Sequence, residues 1–192
     1  MDEERLRASE WFVYQIDQAA ALDFIVRHHY AKGMSNTATY RFGLFSMNEP
    51  SRLRGVAAWL PPTRIAAESV DKERWKQVLS LTRMAIEPGV PKNACSFLLA
   101  RCVKRIKADK RFVALVTYAD EAQEHFGTTY LAAGWEYVGR RPGRRLWFDP
   151  VSGKQVATLA TKTRTAARMA ELGFVRKEER FAMHKFIKVL WP

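Results

Sequence analysis

This 192-residue chain is poor in cysteine, with two, holds only 10 glycines and 8 prolines, and has no long apolar run; each scarcity removes a class of protein. Cys95 and Cys102 stand seven apart on a predicted helix, about two turns and so roughly 10 Å, too far to join each other. They read as buried thiols, with no disulfide framework and no cysteine-based zinc site. No apolar stretch approaches the roughly 18–20 residues that span a bilayer. The start, Met1-Asp2-Glu3-Glu4, is acidic where a secretory signal would be basic, so a cytoplasmic location is expected. No repeat, low-complexity tract or linker divides the chain, and its length suits one domain, 1–192.

Acid is also short. Against 32 Lys/Arg stand 20 Asp/Glu, a net charge of +12. Residues 140–192 hold 13 Lys/Arg and 4 Asp/Glu, so +9 of that surplus falls in a basic C-terminal extension. A patch of this sign attracts a polyanion, and DNA or RNA bound by displacing counterions would be released as salt rises. A solvated basic surface without a partner is the alternative. Apolar residues are plentiful, at 47% with 12% aromatics, which supports a core and argues against disorder.

Periodicity divides the chain into alternating elements. Gln18 to His28 reads as a helix capped by Asp17, with Ala21, Phe24 and Ile25 as its apolar stripe, and His28-His29-Tyr30 at its end. Tyr40–Phe45 and Gly55–Leu60 read as strands, the second stopped by Pro61-Pro62. A polar helical stretch, Ala66–Lys76, precedes a central strand, Val78–Ile86. Pro88-Gly89-Val90-Pro91 forces a turn, after which Asn93 caps a helix running to about Asp109. A strand over Phe112–Thr117, a helix over Glu121–Ala133 and a strand over Trp135–Val138 follow. Arg144–Phe148 and Val156–Ala160 flank Pro150-Val151-Ser152-Gly153 as a hairpin would; Thr163–Leu172 is expected helical and Phe181–Leu190 a strand. The sum is an α+β domain, a central mixed sheet flanked by helices, with a strand-rich basic end.

Asp120 falls where a strand hands over to a helix, the position at which sheet-based folds gather their sites. Aspartate is equally a preferred helix cap. Tyr130 is likewise double, since Ala122, Phe126 and Tyr130 repeat at helical spacing and can simply line the core.

The string Tyr118-Ala119-Asp120, then Gly127-Thr128-x-Tyr130 and Gly134-Trp135-x-Tyr137-x-Gly139, resembles the signature of the Mom DNA-modification proteins of phage Mu and related prophages. His29-Tyr30, Thr82-Arg83, Asn93-x-x-Ser96 and His184-Lys185-Phe186 also fit, so the resemblance runs from about residue 24 to 188. It implies a GNAT-like fold and a phage- or prophage-encoded transferase acting in the bacterial host. That enzyme would attach a carbamoylmethyl (acetamido) group to the exocyclic amine of adenine, protecting DNA from host restriction. Carried over by position, the functional residues are His29, Tyr30, Asp120 and Tyr130 in catalysis, with Arg83 and Ser96 toward the cofactor.

Chemistry gives each a task. Adenine's exocyclic nitrogen is a poor nucleophile because its lone pair is delocalised, so a base must take a proton, and Asp120 or His29, or its neighbour His28, offers one. Ser96 stands on a helix first turn, where amides collect anions; Arg83 can pair with phosphate or carboxylate; Tyr130 can protonate a departing group. Structural readings compete: His29 as a cation on a helix C-terminus, Arg83 in an ion pair, Ser96 as an ordinary first-turn serine. The amine of a paired base must be everted to be reached, and Trp59, Trp135, Tyr137 and Trp147 are candidates to stack on it. Arg140, Arg141, Arg144 and Arg145 form a loop suited to backbone phosphates of double-stranded DNA, or a solvated turn.

The donor is left open between acetyl-CoA and an aminoacyl carrier. Coenzyme A sites of this superfamily use a glycine-rich turn, whereas Glu87-Pro88-Gly89-Val90-Pro91-Lys92-Asn93-Ala94 has two prolines that remove donors. The product's methylene link requires a step beyond plain acyl transfer. Iron(II) is linked to the family, yet His29, Asp120, His125 and His184 show no diagnostic ligand spacing. Two other functions compete: a GNAT N-acyltransferase acting on a protein or small molecule, and a non-catalytic basic DNA-binding protein.

Overall fold

Strand-forming aromatics begin earlier than the periodic pattern suggests: Trp11–Gln15 forms β1, an edge strand unpredicted from sequence, with Phe12 stacked on Phe45 of the neighbouring strand (5.3 Å between centroids). The computed structural model describes residues 5–156 and 165–191. After β1 come α1 (Gln18–His28), β2 (Tyr40–Ser46), β3 (Glu49–Leu60), α2 (Arg64–Glu68), β4 (Val78–Ile86), α3 (Ala94–Asp109), β5 (Ala114–Asp120), α4 (Thr128–Ala132), β6 (Glu136–Phe148), α5 (Ala166–Glu171) and β7 (Val175–Val189). No helix among the described residues is long and apolar enough to cross a membrane.

The seven strands form one sheet in the order β1-β2-β3-β4-β5-β7-β6. All neighbours are antiparallel except β4 and β5, so the sheet is mixed and the class is α+β, as expected. The α3 helix supplies Leu98, Leu99, Cys102 and Ile106 to the main core, where they meet Leu44, Trp59, Leu79, Leu115 and Phe186 from the strands. On the opposite face Ala21, Phe24 and Ile25, the predicted stripe of α1, pack against Val56 and Ala85. Asp17 caps α1 through a 2.8 Å bond from Ala20 N–H.

Several expectations need correction. Asn93 does not cap α3; its side chain bonds the backbone of Leu6, accepting from Leu6 N–H (2.8 Å) and donating to its carbonyl. The predicted helix over 121–133 is broken into a 3-10 turn, Glu121–Gln123, and α4, because Glu124 (φ 55°) and Gly127 (φ 84°) both adopt the left-handed region, which ends a helix. The stretch Arg140–Arg145 is not a loop: it lies within β6, where register shifts between Arg141 and Arg144 absorb Pro142-Gly143. An edge strand tolerates that proline because its N–H side has no neighbour to serve. Phe148 bridges to Gln155, closing the turn at Pro150–Gly153; most of the predicted strand Val156–Ala160 and the first residues of the predicted helix at Thr163 lie outside the described residues.

Candidate active site

Parallel pairing of β4 with β5 covers only Val78–Ser80 against Ala114–Val116. Beyond that point β4 stays bonded to β3 and β5 to β7, so the two strands part. Thr117 Oγ1 donates to the Leu81 carbonyl (3.2 Å) at the apex of the opening. The gap is a cavity of about 390 Å3, in the range of small-molecule sites. Residues 81–86 and 117–120 form its walls, and the end of α1 and residues 124–130 enclose it.

Asp120, the last residue of β5, is 3% exposed and lines this cavity. Its Oδ1 accepts from Ala122 N–H (3.1 Å) and its Oδ2 from the Tyr30 hydroxyl (3.3 Å). The cap and cavity readings therefore hold together: one oxygen caps the 3-10 turn, the other meets a phenol. Tyr30 stacks on His29, 4.5 Å between centroids.

His29 ends α1 and its Nδ1 accepts from Ala31 N–H (3.0 Å), so the neutral ring carries its proton on Nε2. Burial, and then the nearby Arg83, His125 and Lys32, lower its pKa from 6.5 to about 4. It is neutral at pH 7, and the reading as a cation on a helix end does not apply. His28 also borders the cavity but packs on Phe24 of the core (4.5 Å), and its Nε2 is buried without a hydrogen-bond partner.

Arg83 reaches from β4 into the same cavity. Its Nε donates to the Gly33 carbonyl (2.8 Å) and Nη1 to the Thr82 carbonyl (2.6 Å), which fastens the loop after α1 to the sheet. No carboxylate among the described residues pairs with it, and burial lowers its pKa below the usual guanidinium value. Tyr130, on α4, lies against Phe186 (5.2 Å) and Trp135 (5.9 Å) while lining the cavity; burial raises its pKa above 10, against an opposing hydrogen bond with Thr117.

Ser96 does not line the cavity. Its hydroxyl donates to the Asn93 carbonyl (2.9 Å), and Cys95 is the residue of that turn which faces the opening. The predicted stacking residues are elsewhere too: Trp59 and Trp135 are buried in the core, 6.3 Å apart, and Tyr137 is bonded to His184 on the outer edge. Trp147 does not border the cavity. Phe126 does border it, missed because position 126 reads as a buried helical site, and so do Tyr118 of the motif and His125, which was considered only as a metal ligand.

The arginines of β6 are mostly engaged. Arg140 grips Glu121 through Nε (2.7 Å) and Nη2 (2.9 Å), Arg141 donates to Ser69 Oγ (3.2 Å), and Arg145 meets Glu178 (2.5 Å). The side chain of Arg144 lies outside the described residues. Glu121 also accepts from Ala182 N–H and contacts His184 Nε2, each at 2.9 Å. Arg140 first, then the Ala182 amide, hold its carboxyl down at about 2.

Neither expected cofactor finds a matching set of groups. Among the described residues no three His, Cys, Asp or Glu side chains gather to hold a metal ion such as iron(II). The turn between β4 and α3 contains Pro88 and Pro91, Ala94 N–H is spent on the Pro91 carbonyl, and Glu87 sits 2.6 Å from Arg54 Nε in an ion pair whose N–H does not point at the oxygen. That turn does not suit the pyrophosphate of coenzyme A.

Solved structures with the same architecture include several acetyltransferases. A spermidine N-acetyltransferase from Vibrio cholerae, solved with CoA and spermine, has a TM-score of 0.58 at 10% identity, covering 95% of this chain and 96% of that one. A Salmonella typhimurium structure holding its cofactor acetyl-CoA gives 0.57 at 10% identity, covering 94% of each chain. The ribosomal-protein-S18-alanine N-acetyltransferase of Escherichia coli gives 0.56 at 9%, covering 95% of each. At such identities the likeness is one of fold, and the fold is GNAT-like. A comparison with curated proteins finds no match. The model of the Mom protein family matches residues 10–190, nearly the whole length, and the chain belongs to the Mom protein family.

Proposed function

We propose that this protein is a DNA-modifying transferase that attaches a carbamoylmethyl (acetamido) group to the exocyclic amine of adenine in phage DNA, shielding it from restriction. One observation carries the reading: a carboxylate, Asp120, is buried at the parting of β4 and β5 with each oxygen oriented by a donor. The amine of an everted adenine must lose one proton as its nitrogen bonds to the methylene carbon of a donor that carries a leaving group on that carbon, the bond to the leaving group breaking with its electron pair, and Asp120 accepts the proton. Tyr30 holds the carboxylate's second oxygen in position. His29, neutral and protonated on Nε2, donates a hydrogen bond to the carbonyl oxygen of the carbamoylmethyl group and so orients its methylene carbon for attack. Of the two histidines it is the one stacked on Asp120's partner. Tyr130, a phenol at neutral pH, supplies a proton to the leaving group.

Arg83, with Nε and Nη1 committed to carbonyls, holds an anionic portion of the donor through Nη2, and Ser96 acts on α3's first turn without touching the donor. The donor, made in an earlier step from acetyl-CoA or an aminoacyl carrier, would enter through the β4–β5 opening without relying on the β4–α3 turn to hold a pyrophosphate. Double-stranded DNA lies along Arg140, Arg141, Arg144 and Arg145, whose strand meets the turn after Asp120 through Arg140 and Glu121. The work is done in the host cytoplasm.

Mass spectrometry of nucleosides from plasmid DNA made in expressing cells tests this. A modified adenosine is expected; unmodified DNA from cells that contain the folded protein rejects the reading in favour of an N-acyltransferase acting on a protein or small molecule.

A further inference from the structure

Between the 3-10 turn and α4 the chain turns left-handed twice within four residues, at Glu124 and Gly127, and this throws the ring of Phe126 outward. Phe126 is 60% exposed and still borders the cavity. The segment that carries it is clamped. On one side His125 N–H donates to the Asp120 carbonyl (3.2 Å); on the other Gly127 lies against Phe186 so closely that an added Cβ would sit 2.0 Å from the ring. The Phe126 ring itself meets His184 edge-on at 6.0 Å, and His184 is fixed by Glu121 and Tyr137. A second half-exposed ring, Tyr30 at 38%, borders the cavity from the end of α1, one face covered by His29 and its hydroxyl on Asp120.

Phe126 presents the face of a phenyl ring at the border of the cavity on a backbone held at both ends, which suits an occupant that can stack on it and bury that face. The occupant must be flat, must have a π face for two rings, and must bring an N–H donor to a buried carboxylate. We propose that Phe126 and Tyr30 are the clasp for the everted adenine, Phe126 being the substrate-binding ring that stacks on the base and thereby favours its extrusion. This rests on the DNA-adenine reading above and names the residues that give it a base-binding subsite, in place of the tryptophans expected from sequence.

The test compares affinity of the purified protein for two duplexes at fixed salt, one with adenine opposite a mismatched cytosine and one with an abasic site in its place. Stacking predicts that the wild type prefers the adenine duplex by at least about fivefold. Phe126→Ala and Phe126→Leu should lose that preference while holding the abasic duplex as before, and Phe126→Trp should keep it. Modified adenosine in cellular DNA should fall with the first two variants and persist with the third. A Phe126→Leu protein that retains both the preference and the modification overturns the clasp and leaves the adenine reading standing. Unmodified DNA from wild-type cells overturns both.

Discussion

Two carboxylates one residue apart, Asp120 at the wall of the cavity and Glu121 on the outer edge of the sheet, are held by different kinds of partner. Glu121 meets a guanidinium, an imidazole and a backbone N–H, which keep it ionised down to about pH 2 and make it a brace between the 3-10 turn and strands β6 and β7. Asp120 is oriented by a phenol and an amide in a buried setting. A carboxylate bound to fixed cations gives up basicity for rigidity; Asp120 instead stands in the wall of a cavity that a ligand can enter. The pair teaches that adjacent acids of one motif can face different surroundings, one an outer brace and the other a cavity.

The most forceful way to break this comparison is substitution on each side. Asp120→Asn should lower modified adenosine in cellular DNA by about 10²- to 10⁴-fold with little change in melting temperature. Glu121→Gln should leave substantial modification but a less stable protein. Equal loss of product from both would erase the distinction.

Stability against pH sharpens it next. His29 has a folded pKa near 4 and an ordinary unfolded one of 6.5, so between those values the unfolded chain binds a proton that the native chain does not. Stability should therefore fall as pH drops from 6.5 toward 4, by on the order of 2–3 kcal/mol from this group, and His29→Gln should flatten that segment of a melting-temperature profile. Glu121 and Asp109, both held near 2, act lower: their contribution is complete above about pH 4.5 and is lost as pH falls toward 2.

Tyr30→Phe removes one oriented donor from Asp120, worth about 1 kcal/mol, so modification should decline roughly five- to tenfold. The smallest effect is expected from Arg140→Ala. Arg140 is largely exposed, and loss of its pair with Glu121 should lower the melting temperature only slightly. The Glu121 carboxyl, followed by NMR titration, should then rise from about 2 toward its ordinary value.

How much of this was legible beforehand depends on whether a feature is local. The α1 helix, its Asp17 cap and its apolar stripe were readable because cap and periodicity lie within eleven consecutive residues. Asp120 at a strand end was readable for the same reason. Asn93 was misread as a cap because its true partner, Leu6, is 87 residues away. The break at Glu124 was hidden because a glutamate rarely adopts positive φ and the surrounding residues suit a helix. The arginines of β6 read as a loop because Pro-Gly signals a turn, and only their pairing with β7 shows a bulge at an edge. For the site, the motif brought His29, Tyr30, Arg83, Asp120 and Tyr130 to one cavity. Phe126 escaped because nothing in a single sequence says that an aromatic residue will face outward.

Gly127 ties several of these features together. Its neighbour Phe186 is registered against Thr117, and the Thr117 hydroxyl reaches Leu81 at the point where the two central strands diverge. A methyl group at 127 would push on that ring and, through it, on the point where β4 and β5 part. The missing side chain is thus what lets the Phe186 ring close against this turn, and any larger residue there would have to displace the ring.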